Sequence, residues 1–212
     1  MPAAQPSTPP AFSSLRRFVR PRRNIESCEL CGASLPPEHQ HVLELNSRRL
    51  ACSCDACAIL FSGQQSARYR RVPRRIQILS DFQITDVQWE NLRLPINLAF
   101  FFFSTPANRV VAMFPSPAGA TESLLTLESW EELARGNPIL RELEPDVEAL
   151  LVNRVAQSQE YCRVPIDECF KLVGLIRTHW RGLSGGSEVW GQIALFFDDL
   201  KKRSTPTGVM HA

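Results

Sequence analysis

Apolar positions fall into a few dense runs separated by polar, proline-rich or charged stretches, and the runs follow two different periods. "LPINLAFFFFST" (94–105) and "RVVAMFPS" (109–116) are nearly continuous and β-type, which predicts two buried strands joined by a hairpin turn at Pro106–Asn108. "LTLESWEELARG" (125–136) has helical spacing, with Thr126 or Ser129 as N-cap, acidic residues in the first turn and Gly136 as a stop. "VPIDECFKLVGLIRTHW" (164–180) predicts a helix opened by Pro165, with Ile166, Phe170, Val173 and Ile176 or Arg177 on one face. After "GLSGG", Ser187 is placed to cap a last helix, "EVWGQIALFFDDLKKR" (188–203), whose acidic start and basic end suit the macrodipole. "DVEALLVNRV" (146–155) fits strand or helix, and periodicity does not separate the two. "FPSPAGATES" (114–123) reads as a rigid turn rather than a phosphate loop, because it lacks the glycine–lysine signature.

Nearer the N-terminus, "HVLEL" (41–45) and "RRLAC" (48–52) read as a small hairpin with Asn46 and Ser47 at its turn, and "ACAILFSGQQS" (56–66) as the start of a short helix. There is no internal repeat. Adjacent strands followed by helices give an α+β class: a small metal module, then a domain with an antiparallel sheet and C-terminal helices. The expected organisation is a disordered Pro/Arg-rich tail (1–23), a Cys-rich module (24–66), a basic connector broken at Pro73 (67–75), the α+β domain (76–203) and a fraying tail (204–212). A chain of 212 residues has room for one ordinary domain plus such an appendage.

Composition changes this picture little: 44% hydrophobic and 22% charged residues are globular values. The most apolar run, 94–104, has about half the length that a bilayer span needs. Arg16 and Arg17 are followed by Pro21, Arg22 and Arg23 rather than by an apolar stretch, so no export signal is read and a cytoplasmic, reducing compartment is expected. Charge is uneven. Residues 1–75 carry 12 Arg against 5 Asp or Glu, and residues 76–212 carry 12 Lys or Arg against 17 Asp or Glu. The asymmetry permits an anionic partner, with Arg16, Arg17, Arg20, Arg22, Arg23, Arg48 and Arg49 as a nucleic-acid surface, or docking of the basic part on the acidic one.

In a reducing compartment the cysteines carry the chemistry. Five of the seven lie between Cys28 and Cys57, as "CELCG" and "CSCDAC". Cys28 and Cys31 form a knuckle that Gly32 lets turn; Cys54 and Cys57 follow the hairpin at the start of a helix, where N–H groups favour thiolate. Knuckle, hairpin and helix outline a treble-clef or zinc-ribbon-like site with Cys28, Cys31, Cys54 and Cys57 as ligands, and Cys52, His39 and His41 as alternates. Four thiolates close a tetrahedral shell, so the expected role is structural, with zinc contributing on the order of 10 kcal/mol to folding. Iron of rubredoxin type accepts the same donors. Cys162 and Cys169, in apolar surroundings, read as buried thiols.

Two further features stand out. In outline, C-x-x-C-G, His41 at the start of a hairpin and C-x-x-C on a helix resemble the His-Asn-His nuclease family, in which the hairpin His activates water. The chain departs from it at Gln40 and in "AILF" after Cys57. "RTHWRGLSGG" places Arg177, His179, Trp180 and Arg181 before a glycine-rich break and is the best partner-facing surface in the sequence. No catalytic residue is assigned.

Taken together, "CELCGASLPPEHQHVLEL", "CSCDACAILF", "MFPSPAGATES", "LEPDVEALLVNR" and "VPIDECFKLVGLIRTHWRGLSGG" resemble a bacterial family of unknown function, typically encoded beside actinobacterial-type, high-affinity nickel–iron hydrogenases. The resemblance runs from about Arg17 to Arg203. It implies a cytosolic accessory role in hydrogenase assembly, maturation or electron supply, with hydrogenase subunits or maturation factors as partners. The expected function is therefore a non-enzymatic zinc-binding adaptor or chaperone; the alternatives are a rubredoxin-like iron electron carrier and a nucleic-acid-binding zinc protein.

Overall fold

The computed structural model describes residues 26–62, 68–123, 127–182 and 185–205. It is α+β, with two antiparallel sheets and two long C-terminal helices. The smaller sheet has the order β2-β1-β3, from β1 (Gln40–Glu44), β2 (Arg49–Ser53) and β3 (Tyr69–Arg71), and is followed in sequence after β2 by helix α1 (Asp55–Ser62). The larger sheet has six strands in the order β4-β9-β8-β5-β6-β7. These are β4 (Gln77–Ile78), β5 (Leu98–Ser104), β6 (Arg109–Ser116), β7 (Gly119–Ser123), β8 (Glu148–Asn153) and β9 (Glu160–Pro165).

The runs without alternation are explained by burial on both faces. Leu98, Phe100 and Phe102 of β5 pack with Val111, Met113, Leu151, Cys162 and Val164 under α4 (Ile166–His179) and α5 (Gly186–Arg203). The intervening Ala99 and Phe101 pack with Ala112, Leu150 and Val152 under α2 (Asp86–Asn91) and α3 (Leu127–Gly136). Helices on both sides remove the polar face that an antiparallel sheet usually keeps, so β5 and β8 read as solid apolar runs. Each fully buried Leu or Phe contributes about 1.5–3 kcal/mol against exposure. "DVEALLVNRV" resolves as a strand for the same reason: β8 is central, between β5 and β9, and buried along its length.

Several local expectations change. "FPSPAGATES" is a strand–turn–strand: β6 and β7 pair with Ser116 opposite Gly119, and the Ser116 hydroxyl donates to the Gly119 carbonyl and accepts from Ala118 N–H. Pro115, on β6, lies in a position that its missing N–H does not forbid, because the pairing of β6 with β5 ends at Met113 and leaves Pro115 paired with β7 alone. Ser129 lies inside α3, its hydroxyl on the Asn91 carbonyl, while Thr126 falls outside the described residues. Ser187 lies inside α5; the cap position is Gly185, at φ +87°, where an added Cβ would come within 2.9 Å of Val189 and 3.1 Å of Trp180. The buried stripe of α4 is Ile166, Cys169, Leu172, Val173 and Ile176; Phe170 is half-buried and Arg177 exposed.

Residues 69–71, in the stretch read as a connector, form β3, which pairs with β1 along Val42↔Arg71 to Glu44↔Tyr69. Leu43, Val72 and Ile76 join the cluster beneath α4 and α5, so the small sheet and the large one share a core. Ion pairs cross the same boundary: Arg48–Glu122 at 3.0 Å, Arg70–Asp146 at 3.5 Å and Arg75–Glu148 at 2.9 Å. Among the described residues, arginines of the basic part are thus paired with acids of the acidic part. No helix among the described residues is long and apolar enough to cross a membrane.

Candidate metal centre

The knuckle is built by the backbone. Ser27 and Ser34 form an isolated bridge, Cys28 N–H donates to the Ala33 carbonyl and Gly32 N–H to the Cys28 carbonyl, each at 2.8 Å. Gly32 takes φ +78°, a left-handed turn that costs a glycine little. Glu29 fastens the knuckle to β2: its N–H donates to the Cys52 carbonyl and its carboxylate accepts from Cys52 N–H, both at 2.9 Å. On the other side Cys54 precedes α1 and its carbonyl takes the Ala58 N–H, while Cys57 stands in the first helical turn.

These two elements bring the Sγ atoms of Cys28, Cys31, Cys54 and Cys57 within 4.8 Å of one another, with Cys31 and Cys54 at 3.7 Å. None of the seven cysteines is in a disulfide. Cys28 and Cys57 are buried and Cys31 is exposed. Burial pushes the Cys28 thiol up, but backbone N–H groups of Cys54, Leu30 and Cys31 outweigh it and hold it at about 6. Burial and the neighbouring thiols push Cys57 up to about 12. Four converging sulfurs cannot all ionise without a cation among them, so the donor set fits a divalent metal that supplies the missing positive charge. The order of knuckle, hairpin and helix is that of a treble clef.

The alternates take a different place. His39, His41 and Cys52 do not join the four-cysteine group; they form their own, with ligand atoms within 4.8 Å of one another. His41 and Cys52 are register partners on β1 and β2. His41 Nδ1 also lies 2.8 Å from an Asp167 carboxylate oxygen on α4, a hydrogen bond that raises its pKa above the usual histidine range. The three residues stand in a groove of about 820 Å³ between the small sheet and α4, walled also by Arg74, Glu168, Lys171 and Arg203. Asp167 is the residue here that motif reading missed. Its signal was an acidic first turn on a helix opened by Pro165, which sequence spacing alone assigns to the macrodipole.

The remaining candidates scatter. His39 and His41 face this groove, while His179, Trp180 and Arg181 lie where α4 meets α5. His179 pairs with Glu188 at 2.7 Å, Trp180 donates to the Gly182 carbonyl at 2.8 Å and stacks edge-on against Trp190, and Arg181 donates to the Thr178 and Trp180 carbonyls. Arg177 is exposed beside them. Arg48 pairs with Glu122 and sits over the Phe102 ring, and Arg49 pairs with Glu29 at 2.5 Å. Arg16, Arg17, Arg20, Arg22 and Arg23 lie outside the described residues. Cys162 and Cys169 are buried thiols; burial pushes Cys162 up to about 12 and Cys169 well above its ordinary value.

Among known proteins, a family model matches residues 27–204, covering both the cysteine centre and the six-stranded sheet. No curated protein and no protein of solved structure matches the chain.

Proposed function

We infer the function of this chain, which belongs to the family of unknown function DUF5947, from its own residues: Cys28, Cys31, Cys54 and Cys57 hold one zinc ion, and the fold so stabilised serves as an adaptor or chaperone. The observation that carries the metal is the convergence of four sulfurs from two separate elements within 4.8 Å. A closed thiolate shell leaves no place for water or substrate, which favours a structural role. The small sheet needs that help, because β1 to β3 and α1 bury only short apolar clusters of their own. A protein partner is supported by α1, whose Ile59, Leu60 and Phe61 are exposed on the helix that carries Cys57. The hydrogenase setting and a cytoplasmic location are supported by the motif resemblance and by the cysteine usage. A second reading, an iron-loaded electron carrier, is favoured by Cys31, whose exposed sulfur gives the centre an edge at the surface.

The test is metal content and visible spectrum of protein purified anaerobically from its native host, beside a Cys28→Ser, Cys57→Ser double variant. The expected result is colourless protein whose thiolate-bound zinc is lost in the variant. A red protein that bleaches reversibly on reduction makes it an electron carrier, and wild-type protein without metal sinks both readings. Co-purification with hydrogenase subunits is expected; unchanged hydrogenase activity after deletion argues against the accessory role.

A further inference from the structure

Beside the thiolate centre, strand geometry gathers a second set of donors. His41 stands on β1 with Cys52 as its cross-strand partner, and His39, one residue before the strand, brings its ring against that of His41. The two rings meet edge to face with centroids 5.0 Å apart. Packing alone would account for that contact, but it does not account for the polar atoms.

Each ring is held from its Nδ1 side. His39 Nδ1 lies 2.9 Å from the Pro36 carbonyl oxygen, which only accepts, so Nδ1 is the donor of the ring and Nε2 is the nitrogen left for another partner. That Nε2 is buried, on a side chain only 6% exposed, and is the one buried side-chain nitrogen or oxygen among the described residues without a hydrogen-bond partner. A polar atom left unpaired in the interior is unfavourable, because it loses its hydration with nothing in exchange. His41 Nδ1 faces the Asp167 carboxylate at 2.8 Å. A carbonyl or carboxylate behind Nδ1 is the arrangement that orients metal-bound imidazoles and raises their basicity. The third donor, Cys52, is a soft sulfur, and all three residues line the same groove.

We propose that His39, His41 and Cys52 bind a second divalent transition-metal ion of the zinc class through the two Nε2 atoms and Sγ, separate from the four-cysteine centre. Three protein donors leave a tetrahedral ion one position for water or another exchangeable ligand, in contrast to the closed shell of the four thiolates. The groove supplies the space for it, and Asp167 acts as a positioning residue, fixing the His41 ring from α4. The site thus ties the small sheet to α4 through the metal's own supporting hydrogen bond.

The inference does not depend on the four-cysteine reading, and one set of measurements separates them. Full-length protein is saturated with Zn²⁺, dialysed and assayed for metal per chain, and Co²⁺ binding is followed optically. Two ions per wild-type chain are expected. His39→Ala, His41→Ala and Cys52→Ser should each hold one, with the cobalt spectrum of a four-thiolate site. Asp167→Ala, which leaves all three donors in place, should weaken only the second ion, by about 10–100-fold. Wild-type protein with a single ion on four thiolates, or two tight ions in every variant including Asp167→Ala, overturns the proposal. A single ion lost in His39→Ala but kept in the Cys28→Ser, Cys57→Ser variant overturns the four-cysteine centre instead.

Discussion

Glu148 gathers donors from three residues onto one buried carboxylate. It is fully buried, and it accepts from Arg163 Nε at 2.9 Å, from Arg75 Nη2 at 2.9 Å and from Glu144 N–H at 2.9 Å. Burial pushes its carboxyl up, but the Arg163, Glu144 and Arg75 hydrogen bonds outweigh it and hold the pKa below the usual glutamate value. Glu148→Gln would take the buried carboxylate from Arg163, itself 3% exposed, leaving it the Glu142 carbonyl at 2.7 Å and the Glu142 carboxylate at 3.9 Å, at a cost of about 3–5 kcal/mol in unfolding free energy by urea titration. The pH dependence follows from the sign of the shift. The native carboxyl titrates below the unfolded value of about 4.3, so its contribution is complete above that pH and lost as pH falls through the lower native value. The gap between wild type and Glu148→Gln should hold steady from pH 7 to 5 and close in stronger acid; a gap that persists there would disprove the linkage. None of this was legible in "DVEALLVNRV", where Glu148 looked like a polar position of undecided structure. Its arginine partners lie 73 and 15 residues away, and the fold brings them together. The cysteine ligands were legible for the opposite reason: C-x-x-C fixes two sulfurs within one turn, so spacing is already geometry.

Short-range patterns revealed the elements whose burial face is local and missed those decided by tertiary cover. Hairpins β1–β2 and β5–β6 and helices α3, α4 and α5 follow from turn residues and apolar spacing. Helix α2 went unread although its signal was present: Thr85 and Gln88 form a capping box, Thr85 Oγ1 accepting from Gln88 N–H at 3.1 Å and Gln88 Oε1 from Thr85 N–H at 3.0 Å. At six residues the helix is too short to show a period, and its one buried side chain is Trp89. Thr85→Ala should cost about 1 kcal/mol, read as a lower thermal midpoint with the fold retained. No change at all would mean that Trp89 packing alone holds α2. Strand β3 was missed because "RYRR" has no apolar alternation; its pairing with β1 rests on the backbone and on Glu44, which pairs with Arg68.

Across the whole molecule, two kinds of cohesion meet at one boundary. The six-stranded sheet is held by apolar cover on both faces, and the small sheet by its cysteines together with the strip of Leu43, Val72 and Ile76. Metal removal should therefore act unequally: after chelation, hydrogen exchange should rise sharply through residues 26–62 while β5 and β8 keep their protection. Equal loss in both regions would show that the metal supports the entire fold. The sheet order was not readable from sequence, because nothing local announces that β9 lies between β4 and β8. That order has a consequence for a chain emerging from a ribosome. The small sheet and its thiolates come out early and can take up metal from residues already made. β4 must wait for Glu160–Pro165 before it has a neighbour, and the Ile76 carbonyl waits longer still for the Thr205 N–H that reaches it at 2.9 Å. An ion captured during translation would hold the knuckle, the β1–β2 hairpin and α1 in shape until the residues after the last helix arrive to close the seam.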